Sequence, residues 1–257
     1  MSSLRQALWV EMLKARRSRM PLVTALGCAM LPLVGGFFMV ILRDPELARR
    51  AGLISVKAQM LVGNADWPTY LDFLSLASAV AGILVFGLIA GWVFGREHAD
   101  RTLKDLLALP TSRSAVVGAK FLLVGLWSFL LTGIIFLTAL VVGLLLRLPP
   151  VPAGVLWQGL LTLAVTAGLN IVLATVIAFS ASAGGGYMPA FGVMILEIAL
   201  AQIIAVLGWG EYFPWSVPGL YAQGEALGAV SYLLVLLAGL AGAAATFAWW
   251  ELADHAR

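Results

Sequence analysis

The chain has 257 residues, 61% hydrophobic and 11% charged, which leaves no stretch for a soluble domain of ordinary size. Its one cysteine, Cys28, excludes a disulfide framework and a multi-cysteine metal site. The net charge of +3 comes from Lys and Arg that flank apolar runs, so it reads as topology and lipid contact, with no nucleic-acid partner.

Residues 1–19 place Leu4, Leu8, Met12 and Ala15 on one helical stripe with Trp9 and Leu13 beside it, among basic residues. Two readings stay open: an interfacial helix lying on the inner leaflet, or a basic tail that only sets orientation. Arg16, Arg17 and Arg19 before an apolar run resemble a signal sequence. The run continues 14 residues past Cys28, however, too far for a cleaved apolar region, so 20–42 is expected to be a retained first span. The connection 43–72 is too polar to cross a membrane.

The second span is expected at 73–95. Gly87, Gly91 and Gly95 repeat there at four-residue spacing and predict close packing against another helix, within the chain or across a dimer. The next segment is the richest in motif. Leu103, Leu106 and Leu107 form one apolar edge, and Asp100, Arg101, Lys104 and Asp105 form the remainder. Pro110 stops the helix. Glu97–Arg101 and Asp100–Lys104 are expected i,i+4 pairs worth about 0.2–0.5 kcal/mol each. A short amphipathic helix over 99–110 results, whose apolar edge needs lipid or a protein groove as partner.

A third span follows at 117–146. Between Arg147 and Glu197 no residue is charged, and this stretch must hold two spans. Pro149, Pro150 and Pro152 mark the entrance, and the Ser/Ala/Gly tract 180–186 divides them, giving 155–180 and 187–209. Glu197 lies about 15 Å along its helix, near the bilayer midplane, where a charge costs about 2.5–3.5 kcal/mol or more. Asn170 is expected at the same depth on the neighbouring span as its hydrogen-bond partner. Glu197 is either functional or a helix-joining group. Residues 211–220 are aromatic and proline-broken and suit an outer interfacial or re-entrant segment. A sixth span is expected at 228–250. The fold class is thus an all-α membrane protein with six spans in a single domain, 1–257.

Six spans put both termini on one side. Of the 16 Lys and Arg, 11 fall with the termini and the 96–120 connection and 5 on the other side, which predicts cytoplasmic termini.

The stretch Glu97, Thr102-Leu103-Lys104, Leu106-Leu107-Ala108, Pro110 and Ser112-Arg113, followed by Lys120, resembles the signature of type-2 ATP-binding-cassette (ABC) permeases. The chain departs from it at Arg101, where glycine is usual. Residues 213–218 are similar to the small permeases that protect producers of lantibiotics and bacitracin-like peptides. The resemblance implies that 103–109 is a coupling helix seated on a cytoplasmic ABC ATPase dimer. Glu97, Arg101, Leu103, Lys104, Leu106, Leu107, Pro110 and Arg113 then form the coupling set. It implies a second copy of the chain, or a related permease, as partner, with export driven by ATP and Mg bound to the ATPase and no cofactor on this chain. No phosphate-cradling Gly-x-x-x-x-Gly-Lys-Ser/Thr loop, His-Glu-x-x-His or Gly-x-Ser-x-Gly is found, so the chain is not expected to be an enzyme. A membrane scaffold that recruits a cytoplasmic partner is the alternative. A secondary transporter is the third reading, and it calls for more intramembrane ionisable groups and an internal repeat.

Overall fold

The computed structural model describes residues 3–44, 64–102 and 111–252, and these are helical with no strand. In chain order the helices are α1 (Ser3–Arg17), α2 (Met20–Arg43), α3 (Trp67–Ala99), α4 (Arg113–Leu145), α5 (Ala153–Ala183) and α6 (Tyr187–Val206). A 3-10 turn (Gly210–Tyr212), the short α7 (Val217–Ala222) and α8 (Ala229–Leu252) follow. Six of them, α2 to α6 and α8, are long and apolar enough to cross a membrane. The connection 45–63 and the segment 103–110 lie outside the described residues.

The helices run past the uncharged stretches that locate them. α3 starts at Trp67, six residues before the expected 73, because Asp66 caps it: its side chain accepts from the Thr69 N–H (3.0 Å), with Pro68 in the first turn. It ends at Ala99, four residues late. α4 starts at Arg113, not 117, behind the Ser112 cap, whose hydroxyl accepts from the Ala115 N–H (3.4 Å). α6 stops at Val206, before the expected 209, where Gly208 turns left-handed (φ +82°) and the Trp209 N–H returns to the Ile204 carbonyl.

Packing is centred on α3 and α5. Half of the apolar window of α3 is buried, against 22% for α6, so α3 is interior and α6 peripheral. α5 packs along both α3 and α8 through small residues. Gly239 and Gly242 of α8 lie against Val172 and Thr175–Val176, and the Thr175 hydroxyl donates across to the Gly239 carbonyl (2.7 Å). Leu22, Leu26 and Met30 on α2 and Leu126, Phe129 and Leu130 on α4 face outward. A rim of this kind is stable only where lipid covers it. At the end opposite the 103–110 segment, the chain after α6 folds back: Ser216 donates to the Ala201 carbonyl (2.9 Å), and Val217 packs with Leu173 and Val235.

Candidate functional site

The two helices that bracket 103–110 are joined by a closed ring of four charges. Lys120, on the second turn of α4, is fully buried. Its ammonium donates to Glu97 Oε2 (2.8 Å), to Glu11 Oε2 (3.4 Å) and to the Val93 carbonyl (2.6 Å). Lys14 of α1 closes the ring through Glu11 Oε1 (2.6 Å) and Glu97 Oε1 (2.9 Å). Each carboxylate thus uses one oxygen for each lysine, and the ring is neutral. Glu97 and Glu11 are only 3% and 6% exposed, so the second lysine compensates the carboxylates, and the Val93 carbonyl adds an acceptor for the buried Lys120; without them such burial would be prohibitive. Burial opposes the charge on Lys14, but Glu97 and Glu11 outweigh it and hold its pKa above the ordinary lysine value. The Phe94 and Trp250 rings lie 5.8 and 5.9 Å from the Lys120 ammonium.

Local structure delivers Glu97 to this ring. Glu97, on the last turn of α3, faces inward, so the expected Glu97–Arg101 pair does not form. Asp100 pairs with Arg96 (3.3 Å), whose guanidinium also covers Trp92 at 5.0 Å, while its expected partner Lys104 lies outside the described residues. α3 closes in a Schellman turn: the Thr102 N–H bonds the Glu97 carbonyl and the Arg101 N–H bonds the His98 carbonyl. Arg101 is the left-handed residue (φ +56°), outside the helix. The glycine usual there in the resembling family is the residue this turn favours. Arg101→Gly is therefore expected to stabilise the protein slightly, by about 1 kcal/mol. Thermal unfolding of purified protein checks it, and a lowered midpoint would count against the turn.

Arg113, the first residue of α4, donates to the Trp250 (3.1 Å) and Glu251 (3.2 Å) carbonyls, which are unsatisfied ends of α8. The Trp250 indole in turn donates to Ser182 Oγ (3.1 Å) near the end of α5. α1, α3, α4, α5 and α8 are thus tied together beside the 103–110 segment. Of the coupling set read from the sequence, the structure brings Glu97 and Arg113 to this end and leaves Arg101 exposed. Leu103, Lys104, Leu106, Leu107 and Pro110 lie outside the described residues. Sequence reading missed Glu11 and took Lys14 for an orientation charge. Glu11 is the one acidic residue among residues 1–19, and it falls with Leu4, Leu8 and Ala15 on the apolar stripe. A lone carboxylate on such a stripe is the signal that could have found it.

The intramembrane polar residues are arranged differently from expectation. Glu197 and Asn170 border one small cavity but are not hydrogen-bonded to each other. The Asn170 amide donates to the Ala79 carbonyl of α3 (3.1 Å), because Gly82 has no side chain to keep it from that backbone. The glycine ladder packs within the chain. A Cβ at Gly87 would meet Met194, one at Gly91 would meet Ala190, and one at Gly95 would meet the Gly186 backbone and Tyr187, so the ladder seats the first half of α6. Among the described residues no group of three or more His, Cys, Asp or Glu could hold a metal ion.

Residues 7–200 match the family described as ABC-2 family transporter protein. The chain is also 28% identical over 193 residues to the bacitracin transport permease protein BCRB of Bacillus licheniformis, across 72% of this chain and 91% of that one. The matched region spans α1 to α5 and most of α6, including all four charges of the ring and both helix ends around 103–110. The chain belongs to the ABC-2 transporter family and is a transmembrane subunit of an ABC transporter.

Proposed function

We propose that the chain is the membrane-spanning half of an ATP-driven exporter. It pairs with a second permease chain, itself or a relative, and docks separate cytoplasmic ATPase chains through the 99–110 segment. Both termini lie in the cytoplasm, α1 lies along the inner leaflet, and residues 210–222 form an outer, partly re-entrant segment. Hydrolysis of ATP takes place on the partner. The observation that carries this reading is the neutral four-charge ring. A docking segment can transmit a push only if its flanks cannot move separately, and Glu97 before it and Lys120 after it are bonded to each other and to α1. Eleven of the sixteen basic side chains on the same side as this ring support a cytoplasmic position for it.

The test is purification from native membranes in mild detergent, followed by reconstitution. An ABC ATPase should co-purify, and transport should require ATP hydrolysis. Bacitracin, named for the relative, is the first compound to assay. Solute movement driven by an ion gradient in the absence of any ATPase would overturn the reading in favour of a secondary transporter. Recruitment of a soluble partner without any transport would overturn it in favour of a scaffold.

A further inference from the structure

A small cavity of ≈ 10 Å³ lies where α3, α5, α6 and the segment before α7 meet. Its walls are Ile83, Leu173, Ala174 and Ile177, and its polar groups are Asn170, Glu197 and Trp215. Asn170 is 1% exposed and Glu197 6%. Asn170 Oδ1, both carboxyl oxygens of Glu197 and Trp215 Nε1 are buried without a hydrogen bond to protein. The Trp215 indole is near enough to act on the Glu197 carboxyl, yet the two do not meet hydrogen-bond geometry. Orphaned buried polar groups are rare in folded proteins, and four around one cavity call for a shared partner. The aliphatic walls supply none.

We propose that this cavity is a binding site for one water molecule, which joins Trp215 of the outer segment to Glu197 and Asn170. The volume admits about one water and no larger ligand. The chemistry fits it as well. Glu197 is buried with no counter-charge and so carries its proton, which leaves two donors, its O–H and the Trp215 N–H, and two acceptors; water accepts from both donors and donates to Asn170 Oδ1. It then has three protein partners, the usual number for a buried water. A metal cation would find only carboxyl and amide oxygens, with an N–H directed among them. Placement gives the water its consequence. Asn170 is already bonded to α3 through the Ala79 carbonyl, and Ser216, next to Trp215, is bonded to α6 through the Ala201 carbonyl. One water thus sits where three spans and the outer segment converge. On the transport reading above, it pins that segment against the bundle.

The site is tested on the purified permease alone, so the outcome does not depend on an ATPase partner. Asn170→Leu removes an acceptor and adds some volume, and Trp215→Phe removes a donor and loses some. Each should lower the thermal midpoint. The double variant should fall by clearly less than the sum, because either substitution already expels the shared water. Loss of the Asn170–Ala79 bond enters both arms of the cycle and cancels. Additive shifts would overturn the proposal. A cryo-electron-microscopy map that resolves ordered water gives a second measurement on the unmodified protein, should Asn170→Leu fail to fold. Density within hydrogen-bond distance of Trp215, Glu197 and Asn170 supports the site. A dry cavity, a direct Trp215–Glu197 bond or a metal ion there would each overturn it.

Discussion

Lys120→Met should be the most damaging single substitution in the described part of the chain. Methionine keeps the unbranched stem but removes an ammonium with three acceptors, Glu97 Oε2, Glu11 Oε2 and the Val93 carbonyl. Two buried carboxylates would then share Lys14 alone. Breaking a buried ion pair from one side costs about 3–5 kcal/mol, a large part of the roughly 5–15 kcal/mol that holds a typical protein folded. Lys14→Met should cost less, because Lys14 is 27% exposed and water can take over part of its role. The expected order of thermal midpoints in detergent is wild type, Lys14→Met, then Lys120→Met well below. Adding Glu97→Gln to Lys120→Met should recover part of the loss, since it removes the stranded charge. A Lys120→Met protein as stable as wild type would mean that the ring does not hold the helix ends together.

What could be read from the sequence follows what the bilayer forces on it. A span excludes charge for about 20 residues, so six helices were legible from five charge-free runs, the longest divided by the Ser/Ala/Gly tract 180–186. Their ends were not, because Asp66 and Ser112 cap helices that continue beyond the apolar stretch. Glu97 was legible through the motif around it. Its partners were not: Lys14 is 83 and Lys120 is 23 positions away, while Glu11 is 109 positions from Lys120, and no local periodicity encodes such pairings. Lys14, among the basic residues of α1, has the same appearance as a charge that sets topology. Counting residues from the helix ends brought Asn170 and Glu197 to the same cavity. The count could not tell that Gly82 would leave the α3 backbone open to the Asn170 amide. Arg101 shows the opposite case. A residue that departed from a family glycine marked a position whose backbone, at φ +56°, explains the glycine.

Leu106→Asp combined with Leu107→Asp should leave a folded permease that no longer retains the ATPase proposed to dock on it. Both residues lie outside the described part of the chain, and the expectation rests on the apolar edge they form with Leu103, together with the bonded flanks at Glu97 and Arg113. If that edge is buried against the ATPase, two carboxylates enter the interface without counter-charges. At about 1–3 kcal/mol or more for each unsatisfied group, affinity should fall on the order of 10²–10⁴-fold. The four-charge ring does not involve either leucine, so membrane insertion and thermal midpoint should stay near wild type. That separates this variant from Lys120→Met, which should lose stability first and partner binding as a consequence. Co-purification and ATP-dependent transport, measured beside the unfolding midpoint, check the expectation. Unchanged ATPase retention in the double variant would rule out this edge as the docking surface.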